Sequence, residues 1–367
     1  MRQNIIVTIV MIASIFVGCQ GNDASREYQG DDTLRLSGNR LVDTHGNPLM
    51  VRGYEMTMDM WLETPGSVGE NPNMTLDIMT DDMIRSGANA VRFLFPARLG
   101  NGFTAEKIDH YVGKMARNRV VVYLSIFGER RDLLDDRGNP VLDEDGNAIQ
   151  HDYYDSPAFF GNPEIRAVLD RYSAWLVLDA SQECDFDDRA RWERVSVAKI
   201  REFRAYGYEC PLTVMSNTYG RDLPALLSDR ARRIFDSDPL RRVIFGWQAY
   251  WGDSFTNPPG QNMNWYEYYY GMTLEEGIRL ASLAPYPIQL GLDLVADAGS
   301  SYMNYRSAMK VAQETGMGWL WWNWYPVWGG NNLSNDGSLE DLTSFGEVVI
   351  FTDPYSVRNT SVRATPP

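Results

Sequence analysis

Along most of this chain, short apolar and β-branched runs alternate with longer stretches whose apolar residues recur every three or four positions. After an opening hairpin, LRLSGNRLVDTHGNPLMVRGYE, come MTLDIMTDDMIRSG and the run ANAVRFLFP, then TAEKIDHYVGKMARN and RVVVYLSIF. The fourth run, AWLVLDASQE, is followed by RARWERVSVAKIREFRAYG; PLTVMSN, RVIFGWQAY, PIQLGLDLV and MGWLWWNW each follow a further helical stretch. Runs that are apolar throughout, with no polar alternation, belong to strands buried on both faces, as in a parallel sheet. A strand joined to a parallel neighbour through a helix crosses over right-handed, and eight such units close on themselves. The expected fold is therefore α/β, an eight-stranded parallel (β/α)8 TIM barrel over residues 33–352 with an amino-terminal hairpin. An open doubly wound sheet is the rival, but no glycine-rich phosphate loop follows the first strand.

In such barrels chemistry is done at the carboxyl ends of the strands. The fourth run ends in Gln182 and Glu183, which places a carboxylate there. Glu55 follows the first strand, Glu129 the third, Asp253 the sixth and Asp293 the seventh. The three histidines end no strand: His45 lies in the hairpin turn, His110 on a helix and His151 in a loop. A Ser-His-Asp triad and a histidine-held zinc are thereby disfavoured. Carboxylates without histidine, among 11 Trp and 20 Tyr, suit glycosidic bond cleavage, although any single aromatic is more often core than a platform for a sugar ring. No metal and no cofactor is expected. The long connection 128–163 carries DDRGNPV and DEDGNAI, two turn-forming segments read as a small hairpin lid over the barrel mouth. DEDGN has calcium-like spacing but lacks the later Glu of a full loop, so a solvated turn is the better reading.

The ordered set of segments resembles glycoside hydrolase family 5, the cellulase and β-mannanase group, over residues 34–350. SGNRLVDTHGNPLMVRG resembles that family's opening hairpin and first strand, and GANAVRFLF its second, whose arginine corresponds to Arg92. VAKIREFRAYGYECPLTVMSNTYGRDLPAL is similar to the fourth helix, fifth strand and following loop, and MGWLWWNW to the eighth strand, with a tryptophan at Trp322. The resemblance implies Glu183 as general acid/base, with Gln182 standing where the family has Asn, and Gln248, Ala249, Tyr250 where it has His-x-Tyr. The seventh strand departs from the family: Gly291-Leu292-Asp293 stands where Gly-Glu supplies the nucleophile. Because strand side chains alternate, a one-residue offset points Asp293 into the barrel wall unless a bulge restores it.

Two functions follow. In the first, Glu183 protonates the leaving oxygen and a second carboxylate, Asp293 ahead of Glu129 or Glu55, attacks or activates water; Arg92 holds the hydrogen bonds of the site, and Trp322, Trp251, Trp247 and Tyr250 stack on a β-linked polysaccharide or oligosaccharide. In the second, the barrel has lost catalysis and binds glycan at the cell surface.

The amino-terminal residues read as a processing signal. Arg2 precedes the apolar run Ile5 to Val17, of secretory length and too short to span a bilayer, and FVGC resembles a lipobox, with Phe16 in place of the usual Leu. Residues 1–18 are then a signal peptide, Cys19 a lipidated terminus, 19–32 a tether, and the protein an exported lipoprotein of the cell envelope or a secreted one. The net charge of −15 argues against nucleic acid and against membrane contact other than through that anchor. A monomer is expected. Cys184 sits just past one strand and Cys210 just before the next, at opposite ends of a parallel sheet, so both are expected unpaired. Residues 353–367 read as an appended, partly disordered tail.

Overall fold

The computed structural model describes residues 33–58, 71, 73–96, 104–127, 139–140, 142, 157–181, 184, 186, 188–250, 271–293, 305–325 and 332–367. Strands β1 (Arg35–Ser37) and β2 (Arg40–Val42) form an antiparallel hairpin that turns at Gly38-Asn39 rather than at the expected turn around His45, where a single bridge joins Val42 to Pro48. Strands β3 (Arg52–Thr57), β4 (Ala90–Pro96), β5 (Val121–Phe127), β6 (Leu176–Ser181), β7 (Leu212–Met215), β8 (Val243–Tyr250), β9 (Ile288–Asp293) and β10 (Trp319–Trp322) close in that order into a parallel barrel. The expected fold is the observed one. Between the strands run α1 (Leu76–Arg85), α2 (Ala105–Arg117), α3 (Pro157–Phe160), α4 (Pro163–Arg171), α5 (Arg189–Ala205), α6 (Leu223–Leu226), α7 (Asp229–Ser237), α8 (Leu274–Ser282) and α9 (Tyr305–Thr315), with α10 (Ser344–Glu347) and α11 (Val357–Thr360) after β10.

Local chemistry sets the helix starts. Thr104, Asn162 and Asp188 accept the first free N–H groups of α2, α4 and α5, and Thr273 with Glu276 forms a reciprocal capping box on α8. Each satisfies donors that the first turn leaves without partners.

The alternation of strand side chains divides the interior into two cores. Outward-facing Tyr54, Phe93, Phe245, Trp247, Leu290, Trp319 and Trp321 pack with the helices in a large shell. Inward-facing Ala90, Val121, Tyr123, Val177, Ile244 and Leu320 form a smaller core inside the barrel, sealed from below by Leu34, Leu41, Leu49 and Val51 of the hairpin segment. The hairpin is thus a plug at the amino end of the strands.

The tail departs from expectation. Val357 and Ala364 are buried, Ala364 within the plug. Thr365 donates its N–H to Asp43 (3.0 Å), and Asn89 donates to the Val362 carbonyl (2.9 Å). Its polar composition hid the fact that a few apolar residues and backbone groups suffice to order it. Both described cysteines, Cys184 and Cys210, are buried, and no disulfide joins them, as expected. The proposed signal peptide, Cys19 and the tether lie outside the described residues, as does nearly all of the lid segment.

Candidate functional site

Above the apolar plug the barrel interior turns polar. Arg92 on β4 reaches across it: Nε donates to Ser125 Oγ (2.7 Å), Nη1 meets Glu55 Oε2 (3.2 Å), and Nη2 meets Asp179 Oδ2. Ser125 Oγ donates to the same Asp179 oxygen (2.5 Å). All four side chains are buried. Four residues from β3, β4, β5 and β6 are thereby tied into one charged knot, in which each charge is held by an opposite charge or a hydrogen bond rather than by solvent. Sequence reasoning singled out Arg92 but missed its partners Asp179 and Ser125. A signal existed: each is the polar residue at an inward position of an otherwise apolar strand.

Beside the knot is a void of about 20 Å³, lined by Glu55, Arg92, Tyr123, Thr213 and Gln289, large enough for one water. Burial pushes the Tyr123 phenol far above its ordinary pKa, so Tyr123 is a neutral donor there. The larger described hollow, about 540 Å³, opens at the opposite, amino end between the hairpin, the starts of β9 and β10, and the tail.

Glu55 is not a group at the mouth, as its place after the first strand suggested. It sits within the barrel, bound to Arg92, with only 3% of its surface exposed. Next to it, strand β9 turns Gly291 inward: a Cβ there would lie 3.3 Å from Glu55 Oε1 and 3.3 Å from Gln248 Cγ. The inward register of β9 therefore falls on odd-numbered residues, with Gln289 and Gly291 in it. This reverses the sequence expectation that Asp293 is offset toward the wall. Asp293 lies two residues beyond Gly291, paired in register with Tyr250 and Trp322, and needs no bulge to share its register; the one register shift in the barrel is in β6, between Asp179 and Ser181.

Gln248 is buried on β8, its N–H donating to the Gly220 carbonyl (2.8 Å). Trp322 is half-buried at the end of β10, and its indole N–H donates to the Asn323 side-chain oxygen (3.2 Å) once that amide is oriented to its neighbours. Trp247 is not a sugar platform. It is wholly buried and faces α8, where a Cβ on Gly277 would come within 2.9 Å of its ring. Trp192, Trp319, Trp321 and Trp324 are likewise core.

Gln182, Glu183, Glu129, Trp251 and Asp253 lie outside the described residues, as do the side chains of Tyr250 and Asp293. The backbone just past Glu183 is nevertheless firmly held. The Cys184 carbonyl accepts the Tyr219 N–H (2.8 Å). Asn217 accepts the Phe186 N–H (2.8 Å) and donates to the Phe186 carbonyl (3.1 Å). The loop after β7, in which Thr218 and Tyr219 adopt left-handed backbone angles, thus clamps the segment leaving β6. Such conformations are costly and persist where the surroundings enforce them. Asn217 was not foreseen as part of the site.

A closed parallel barrel with a polar, arginine-centred lumen below the carboxyl ends of its strands has the layout of the barrel enzymes, whose chemistry is done at those ends. Among known proteins the chain is similar to the mannan endo-1,4-beta-mannosidase of Cellvibrio japonicus, 24% identical over 341 residues that span 90% of this chain and 68% of that protein. It is also similar to the mannan endo-1,4-beta-mannosidase of Streptomyces lividans, 22% identical over 363 residues, 95% of this chain and 82% of that one. The catalytic domain of a mannanase from Streptomyces sp. SirexAA-E has the same fold, with a TM-score of 0.67 at 20% identity, covering 93% of this chain and 96% of its own. The resemblance to glycoside hydrolase family 5 is borne out in these relatives. No protein-family model matches the chain.

Proposed function

We propose that this chain is an exported glycoside hydrolase that cleaves β-linked mannan or a related β-glucan. What supports the reading is the coincidence of a barrel similar to those of mannanases with a carboxylate, Glu183, that stands in the sequence just before Cys184, whose carbonyl accepts the Tyr219 N–H. Glu183 protonates the departing oxygen. Asp293, at the end of β9 and level in register with Trp322, attacks the anomeric carbon or activates water. A carboxyl separation of about 5–5.5 Å gives retention and about 6.5–9.5 Å inversion. Arg92 works from beneath: fixed by Glu55 and Asp179, it holds the polar groups of the lumen in place under the reacting centre, with no reorganisation at the moment of reaction. Gln182, Gln248, Tyr250, Trp251 and Trp322 bind the sugar, Trp322 by stacking. The substrate is neutral, which suits a chain of net charge −15. Cys19 carries the lipid anchor, and the protein works as a monomer on the cell envelope.

Sugar release from β-mannan, β-glucan and xylan by the wild type, Glu183→Gln and Asp293→Asn tests this. Loss of most of the activity in both variants is expected. Equal activity in wild type and Glu183→Gln removes the acid/base assignment, and inactivity of the wild type on all three polymers favours a glycan-binding barrel without catalysis.

A further inference from the structure

The interior of a barrel of this kind is filled by layers of inward-facing side chains. Two inward positions on neighbouring strands carry none here: Gly246 on β8 and Gly291 on β9. Neighbouring side chains crowd both. A Cβ on Gly246 would lie 2.2 Å from Met215 Sδ and 3.3 Å from Thr213 Cγ2, and one on Gly291 would lie 3.3 Å from Glu55 Oε1. What these neighbours leave unfilled is the void of about 20 Å³ beside the knot, which both glycines border.

Two hydroxyls border that void and have no partner among the described residues. Thr213 Oγ1 is buried without a hydrogen bond, on a residue only 5% exposed. The Tyr123 phenol, on a residue 3% exposed, makes no hydrogen bond to a described residue, and burial keeps it protonated. Thr213 on β7 stands level with Asp179 on β6, and Tyr123 on β5 level with Arg92 on β4, so the two hydroxyls come to the void from separate strands at the height of the knot. Glu55 and Arg92 border it as well. Burying two unsatisfied hydroxyls in one small space is costly, and protein interiors answer that cost with ordered water.

We propose that this void is the binding site of a single ordered water, held by Thr213 and Tyr123, so that both hydroxyls reach the Glu55 carboxylate through it. Size and charge select the guest. A water needs roughly 10–15 Å³ of room and about two to four polar partners, and the void offers both while admitting nothing larger. A cation would meet the buried Arg92 and an anion the buried Glu55, which leaves a neutral guest that both donates and accepts. Tyr123 donates to the water oxygen, and the water donates to Glu55; the Thr213 hydroxyl rotates to take the remaining bond. Tyr123 and Gln289 also border the hollow of about 540 Å³ at the amino end. Exchange with solvent therefore runs past these two side chains, from the end of the barrel opposite the mouth.

Three measurements test this. A high-resolution crystal structure of the wild type should show a water within hydrogen-bond reach of both Thr213 Oγ1 and Tyr123 Oη; a dry void overturns the proposal without any variant having to fold. Magnetic relaxation dispersion of the water oxygen counts long-lived internal waters, and the count should fall by one in the double variant Thr213→Val, Tyr123→Phe; an unchanged count overturns it. Melting supplies the energetic sign. An orphaned hydroxyl exchanged for an isosteric methyl is neutral or stabilising, whereas one bonded to water is missed, so Thr213→Val should melt about 2–4 °C lower than the wild type. A melting temperature equal to the wild type's or above it contradicts the bound water. Because both hydroxyls hold the same molecule, the double variant should lose less than the sum of the two single losses, and strict additivity counts against a shared guest. None of these readouts involves a sugar, so their failure and that of the hydrolase assays are told apart.

Discussion

At the scale of single residues, Arg92 is the point on which the lumen turns. Replacing it by Met removes the guanidinium from between Glu55 and Asp179 and leaves two carboxylates buried side by side. Breaking a buried charge network from one side costs about 3–5 kcal/mol. Urea unfolding of Arg92→Met should show a loss of that size, and one well below 1 kcal/mol would mean that the knot is solvated. Asp238 gives a pH signature. Burial raises its pKa, but the hydrogen bond and charge of Arg204, with the N–H groups of Arg242 and Leu240, outweigh burial and hold it below the ordinary value. A depressed carboxyl adds stability above its unfolded pKa, about 3.9, and loses it as pH falls through the lower folded value. The stability gap between wild type and Asp238→Asn should therefore be constant from about pH 7 to 5 and close below about pH 4. The cysteines make a third case. Burial pushes the Cys210 thiol up to about 12, and Cys184 is wholly buried, so iodoacetamide should modify neither until denaturant is added. Sequence spacing alone foresaw their separation. It did not foresee Asp179, which reads as one polar residue in LVLDAS until four strands are brought around it.

At the scale of elements, β3 and β9 show what local pattern leaves open. Gly53 in β3 lies so close to β4 that a Cβ would sit 1.7 Å from the Ala90 carbonyl oxygen. Gly53→Ala must push the paired strands β3 and β4 apart, and a destabilisation of about 3 kcal/mol or more is expected, at the upper end of overpacking effects; a normal melting temperature would contradict the close approach. In β9, the sequence offset between Leu292 and Asp293 pointed the wrong way, because the inward register of a closed barrel is set by its neighbours: Gly291 pairs with Gln248 and Leu320, both on the lumen side. The tail is the converse case. Removing residues 361–367 strips Ala364 from the plug and an N–H from Asp43, so the truncated protein should melt several degrees lower, whereas a disordered tail would leave the transition unmoved.

At the scale of the whole molecule, the barrel is a closed ring with one core inside it and another around it, and neither has an edge from which to unravel. Far-UV circular dichroism and tryptophan fluorescence should accordingly lose signal together on heating, since Trp319 and Trp321 join the wall to the helices while their strand neighbour Leu320 faces the inner core. The sequence by itself determined the order and type of the elements, the closure into a parallel barrel and the presence of a hairpin at its foot. These are written in periodicities, caps and apolar runs, which are local properties of the chain. Tertiary structure alone decided which residues share the lumen, which way β9 presents its register, that Trp247 is core and that the tail is packed. Each depends on residues hundreds of positions apart meeting in space, and no local pattern encodes the partner.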